Sequence, residues 1–132
     1  MNARFALAGA AMALAVSFTN APATAGADDY AFQPVSADVK TGKGVLVAVR
    51  LVHKPSGKPV PEAVVFRSRL DMSPDGMGQM TAPLTAVPGT EPGVYVFRTD
   101  LVMAGGWALK LMAKVQGEPE TIQGTVVFKA RN

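Results

Sequence analysis

Met72, Met77 and Met80 stand five and three residues apart in the segment MSPDGMGQM, among Ser, Pro, Asp, Gly and Gln. Methionine ordinarily fills gaps in apolar cores, so three in so polar a stretch are the residues of this chain that invite chemistry. A fourth, Met103, opens a second glycine-bearing stretch, MAGGW. Thioether sulfur is a soft donor that favours Cu(I) over Zn²⁺, Mg²⁺ or Ca²⁺, and it carries no proton at any relevant pH. Two or three converging thioethers could bind Cu(I), whereas Cu(II) would call for imidazole and the chain has a single histidine, His53. The same four residues also admit a structural reading. Met72 and Met103 would cap the core at strand ends, and Met77 and Met80 would fold over Trp107 as an apolar lid. Spacing alone favours this second reading, because gap filling is the usual role of methionine.

Other chemistry is poorly supplied. His53 has no partner with which to make a metal site or a catalytic base, and Ser68 and Ser73 have no histidine within reach for a hydrolytic triad. Asp71 and Asp75 lie on either side of Pro74. They could pair for acid–base work or hold Ca²⁺, but turn formation explains them more simply. There is no cysteine, so thiolate chemistry and disulfides are out of the question. With no nucleophile–base pair to assemble, an enzyme is not expected.

The elements that must position these residues are strands. Apolar residues recur with period two and no amphipathic helix is apparent. Val45, Val47, Val49 and Leu51 share one face; Val64, Phe66 and Leu70 alternate with Val65, Arg67 and Arg69; Tyr95, Phe97 and Leu101 form a third set. The cleanest alternation is Trp107, Leu109, Leu111, Ala113 and Val115, with Trp107 as the expected core anchor, and Ile122, Val126 and Phe128 close the series. The run from Thr81 to Val87 suits a short edge strand, since Pro83 cannot donate to a ladder, and Tyr30 to Val39 an irregular first strand. Six or seven short strands with a turn signal roughly every ten residues predict an all-β, immunoglobulin-like antiparallel β-sandwich of about seven strands. An antiparallel barrel is the competing architecture. Strand parity carries MSPDGMGQM, as a long loop, and MAGG to one end of the sandwich. His53 falls at the opposite end, and Met112 projects outwards in mid-strand.

Residues 1–27 are expected to be a cleaved signal peptide, leaving 28–132 as the folded domain. Arg4 supplies the positive start, Phe5 to Phe18 is uncharged and apolar, and Ala25-Gly26-Ala27 offers cleavage after Ala25 or Ala27. A retained anchor is the alternative, but the run is shorter than the roughly 20 residues a spanning helix needs. With Arg4 set aside, 12 Lys and Arg face 10 Asp and Glu, a net charge of +2. These charges are interspersed, which argues against nucleic-acid binding and against a polybasic membrane patch. No second apolar stretch would insert the mature chain in a membrane.

Taken together, SGKPVPEAVV, LDMSPDGMGQMTAPL, PGVYVFRTDLVMAGGWALKL and GTVVFKA resemble a YtkA-like domain, and FixH-type periplasmic domains share the layout. The resemblance runs from about Val45 to Ala130. Its distinctive parts are the methionine segment, then P-G-x-Y, then M-x-G-x-W. It implies an immunoglobulin-like domain of the bacterial periplasm or cell surface. It also implies a place beside heavy-metal efflux components or copper-oxidase assembly proteins, and hence copper handling at Met72, Met77, Met80 and Met103. The methionine segment is longer than the tight M-P-x-M form. The alternative function is a protein-interaction module that docks on an efflux or assembly complex and binds no metal.

Overall fold

Ten strands realise the alternation: β1 (Tyr30–Pro34), β2 (Asp38–Lys40), β3 (Gly42–His53), β4 (Lys58–Pro59), β5 (Val64–Met72), β6 (Met77–Ala82), β7 (Leu84–Val87), β8 (Val94–Leu101), β9 (Gly105–Lys114) and β10 (Ile122–Arg131). They come from a computed structural model that describes residues 26–132. The expected signal peptide, but for its last two residues, lies outside the described residues. Two sheets form, one ordered β1-β3-β8-β7 with β4 beside β3, the other β2-β10-β9-β5-β6. This is the expected immunoglobulin-like sandwich, and the count of ten includes a two-residue and a three-residue piece. One pairing departs from the antiparallel rule, because β2 runs parallel to β10.

The core lies where the inner faces meet. Val47, Val49 and Leu51 of β3 and Phe97 and Leu101 of β8 face Leu70 and Met72 of β5, Trp107, Leu109 and Leu111 of β9, and Val126 and Phe128 of β10; all are buried. Burial of each large side chain here contributes about 1.5–3 kcal/mol, which holds the domain without disulfides. Gly124 has its place for a steric reason. The ring of Phe32 from the facing sheet occupies the space that a Cβ would need.

Three expectations need correction. The segment MSPDGMGQM is not a long loop: only Ser73–Asp75 form a 3-10 turn, and Met77 already begins β6. The stretch from Thr81 to Val87 is not one strand, since the chain changes sheets at Pro83. β6 edges the second sheet and β7 edges the first, with proline at the one position that pairs with neither. The third correction concerns β5. Its register against β9 shifts between Val65 and Arg67, and a bulge of this kind inverts side-chain parity. Val65 therefore packs against the core, while Val64 and Phe66, expected inside, are 62% and 51% exposed. Arg67 and Arg69 face solvent as expected.

Candidate functional site

The end of the sandwich that holds the methionines is assembled by two docked segments, Met72 to Met77 and Met103 to Trp107. β5 finishes at Met72. Pro74, preset for a helical φ, then starts the 3-10 turn, and Gly76 closes it at a φ of 74° with its N–H on the Ser73 carbonyl at 2.9 Å. This tight reversal places Met77 across from Met72 in the ladder. The left-handed φ at position 76 is one that glycine adopts without cost.

The turn is fastened to β9. An Asp75 carboxylate oxygen accepts the Gly106 N–H at 3.0 Å. The space above Gly105 and Gly106 is filled by the turn itself. A Cβ on Gly105 would run into the Asp75 carboxylate and come 2.9 Å from Met72 Cε, and one on Gly106 would sit 2.9 Å from Pro74 Cβ. Gly105 also holds a φ of 138°, which L side chains avoid. The paired glycines are thus a landing site for the S-P-D turn. From the same strand, Trp107 Nε1 donates to the Met103 carbonyl at 3.0 Å. The fully buried indole fixes the backbone that carries Met103.

Beneath the turn sits a buried carboxylate. Asp71 is almost wholly covered, although it lies on the outer face of its sheet opposite Ala108. Its Oδ2 takes Arg69 Nε at 2.9 Å and Lys110 Nζ at 3.0 Å, and its Oδ1 takes the Ser73 N–H at 3.0 Å. Burial pushes this carboxyl upwards, but hydrogen bonds from Ser73, Arg69 and Lys110 outweigh burial and hold it well below the usual carboxylate range. Arg69 in turn donates to the Gly78 carbonyl at 2.9 Å. Asp71 therefore ties the end of β5, the turn and the start of β6 into one unit. Asp71 and Asp75 hold different partners, the first Arg69, Lys110 and the Ser73 amide, the second the Gly106 amide. Among the described residues there is no cluster of three or more His, Cys, Asp or Glu side chains fit for a metal ion.

The four methionines share this end but not one environment. Met72 is fully buried in the core, and Met80 packs inwards against it. Met77 and Met103 face solvent, 37% and 40% exposed. Val102, beside Met103, is 71% exposed. Of the pair expected to cap the core, Met72 is buried and Met103 is not; of the pair expected to form the lid, Met80 packs against the core and Met77 is exposed. Met112 lies on the outer face of β9 across from Arg67 and Gln123. His53 is at the far end, where β3 pairs with β1; its Nδ1 lies 2.7 Å from Ser56 Oγ and its ring is tilted over Tyr30. The cluster around Asp71 was missed from sequence. Arg69 and Asp71 stand two apart on one strand face, and that opposite-charge pair is the signal that could have found it.

No curated protein sequence matches the chain. Among solved structures, the Lin-41 filamin domain is similar at 18% identity and a TM-score of 0.42, covering 76% of this chain and 93% of that one. The ZirS C-terminal domain is similar at 12% identity and a TM-score of 0.43, covering 80% and 67%. Neither likeness speaks to function. The YtkA-like family model matches residues 24–112, a span that includes both docked segments. The chain belongs to the YtkA-like family.

Proposed function

We propose that this domain is an exported metal-handling module that carries Cu(I) at its methionine end, with Met77 and Met103 as the exchangeable ligands. The observation that carries this reading is the split among the methionines. Met72 and Met80 belong to the interior, whereas Met77 and Met103 present thioethers to solvent at one end of the fold. Their backbones are fastened by Asp75 on Gly106 and by Trp107 on the Met103 carbonyl. Soft, proton-free donors suit Cu(I) in an oxidising compartment, where a thiol would be prone to oxidation. Two sulfurs bound at about 2.3 Å must lie within about 4–5 Å of each other, and flexible methionine side chains adapt to that demand. A site with two thioethers holds its ion loosely, as a carrier that passes metal onward would need. The natural recipient in the periplasm is a heavy-metal efflux or copper-oxidase assembly protein.

Anaerobic titration with Cu(I) against a competing chelator tests the reading. The wild-type domain should retain the ion, Met77→Ala with Met103→Ala should weaken retention by about tenfold or more, and Met112→Ala should leave it unchanged. No retention, or equal retention by the double variant, would contradict the proposal. Val102 favours a second reading. Together with Met77 and Met103 it makes an apolar tip of the kind adaptable protein contacts use, in which case the domain docks on an efflux or assembly complex without metal. Retention of such a partner by a domain that takes up no Cu(I), lost in Val102→Asp, would select it.

A further inference from the structure

The change of sheets at Pro83 leaves an open sheet edge on β5. β6 pairs with β5 only at Leu70, Asp71 and Met72, so among the described residues no strand covers β5 from Val64 to Arg69 on the side away from β9. These six residues span about 20 Å of backbone, with hydrogen-bonding groups directed at solvent. A groove of about 580 Å³ adjoins this edge, between the start of β5 and the edge strand β7. Val65, Ala86, Val87, Tyr95 and Phe97 are among its walls. The Tyr95 hydroxyl accepts the Ala63 N–H at 2.9 Å and donates to the Val60 carbonyl at 2.7 Å, which pins the chain leading into β5. The edge is therefore held open rather than frayed.

Proteins usually guard such an edge with charge and with bulges, and Arg67, Arg69 and the bulge answer to that description. Guarding does not explain why Val64 and Phe66 project from the same edge at 62% and 51% exposure. Large apolar groups beside unpaired backbone mark a template for strand addition.

Charge says what the added strand must be. Val64, Arg67 and Arg69 lie on the outer face, whereas Val65 and Leu70 lie on the inner. A neighbouring strand would set alternate side chains beside the arginines and the others towards the groove. Arg69 and Lys110 are paired with the buried Asp71, which leaves Arg67 on β5 and Lys114, opposite Val64, as the cations beside the outer face of the edge, while Glu62 and Glu91 line the groove and turn acidic side chains away from it. Opposite charges across a strand pair stabilise it, and like charges destabilise it. A second copy of this chain would bring to the edge a strand that again carries Arg67 and Arg69 and whose one carboxylate, Asp71, is buried and already paired. We infer that the open edge of β5 binds an extended segment of another protein in which acidic and apolar residues alternate, added as a further strand beside Val64 to Arg69.

The test uses a capped hexapeptide of alternating Glu and Val, its Lys and Val counterpart, and Glu-Val peptides N-methylated either at every Glu or at every Val. Binding to the whole domain is followed by amide chemical shifts. The acidic peptide should bind with shifts centred on residues 63–70 and 84–87, about tenfold tighter than the basic one. One of the two N-methylated forms should lose binding, since only one set of amides faces β5. Arg67→Glu should invert the preference between acidic and basic peptides. Equal binding of both N-methylated forms and the parent would show mere charge attraction and overturn strand addition. Shifts centred elsewhere, or no binding by any peptide, would overturn it as well.

Discussion

Truncation of Trp107 to alanine is expected to remove about 3–5 kcal/mol of unfolding free energy, the largest single loss in the domain. The indole is fully buried and stands opposite Phe128 in the ladder, with Met72 and Leu109 in the same core. Its removal leaves a cavity between two sheets that are held apart by their other side chains, and so cannot close over it. Chemical denaturation gives the number directly. Trp107→Phe separates packing from polar anchoring. It keeps much of the apolar volume but loses the donor to the Met103 carbonyl, for an expected cost of about 1–2 kcal/mol from the hydrogen bond and residual volume. In that variant, amide exchange around Met103 should quicken more than exchange in β10. An unchanged Met103 segment would mean that the indole N–H does not position this end.

Asp71→Asn should rank second, at about 1–3 kcal/mol near neutral pH. The cost is bounded because Arg69 and Lys110 are half-exposed and recover water when the carboxylate is lost. Its signature lies in pH dependence. The folded carboxyl titrates below its ordinary value of 3.8. The stabilisation is thus complete above about pH 4 and is lost as pH falls towards the folded value. The gap between wild type and Asp71→Asn should be constant from neutral pH down to about pH 5 and narrow below pH 4. Denaturation curves over that range check it, and a gap that widens in acid would contradict the assignment. Asp71 also holds the Ser73 amide, so the variant should loosen the turn that delivers Met77.

What could be read from sequence follows how strongly each pattern is forced. In β9, Trp107, Leu109, Leu111 and Ala113 point inwards as period two requires, because no glycine bulge or proline interrupts them. The grouping of the methionines at one end, with His53 at the other, follows from strand direction alone. The bulge in β5 carries no such mark. Val-Val-Phe is good strand sequence in either register, and pairing with β9 decides which valine is buried. β6 was hidden for a related reason. Gly78 and Gln79 look like loop, yet Met77 is drawn into pairing by the tight turn at Ser73–Asp75. The roles of Gly105 and Gly106 depend on the space left beneath Asp75 and Pro74. Two segments thirty residues apart must meet before that space exists.

Carbon-13 labelling of the methionine ε-methyl groups, followed by stepwise anaerobic addition of Cu(I), addresses the metal directly. Met77 and Met103 should move together and saturate at a single equivalent, while Met72 in the core and Met112 on the far face keep their positions. If Met77 and Met103 stay still, or if Met112 moves as far as they do, Cu(I) is not carried at the methionine end.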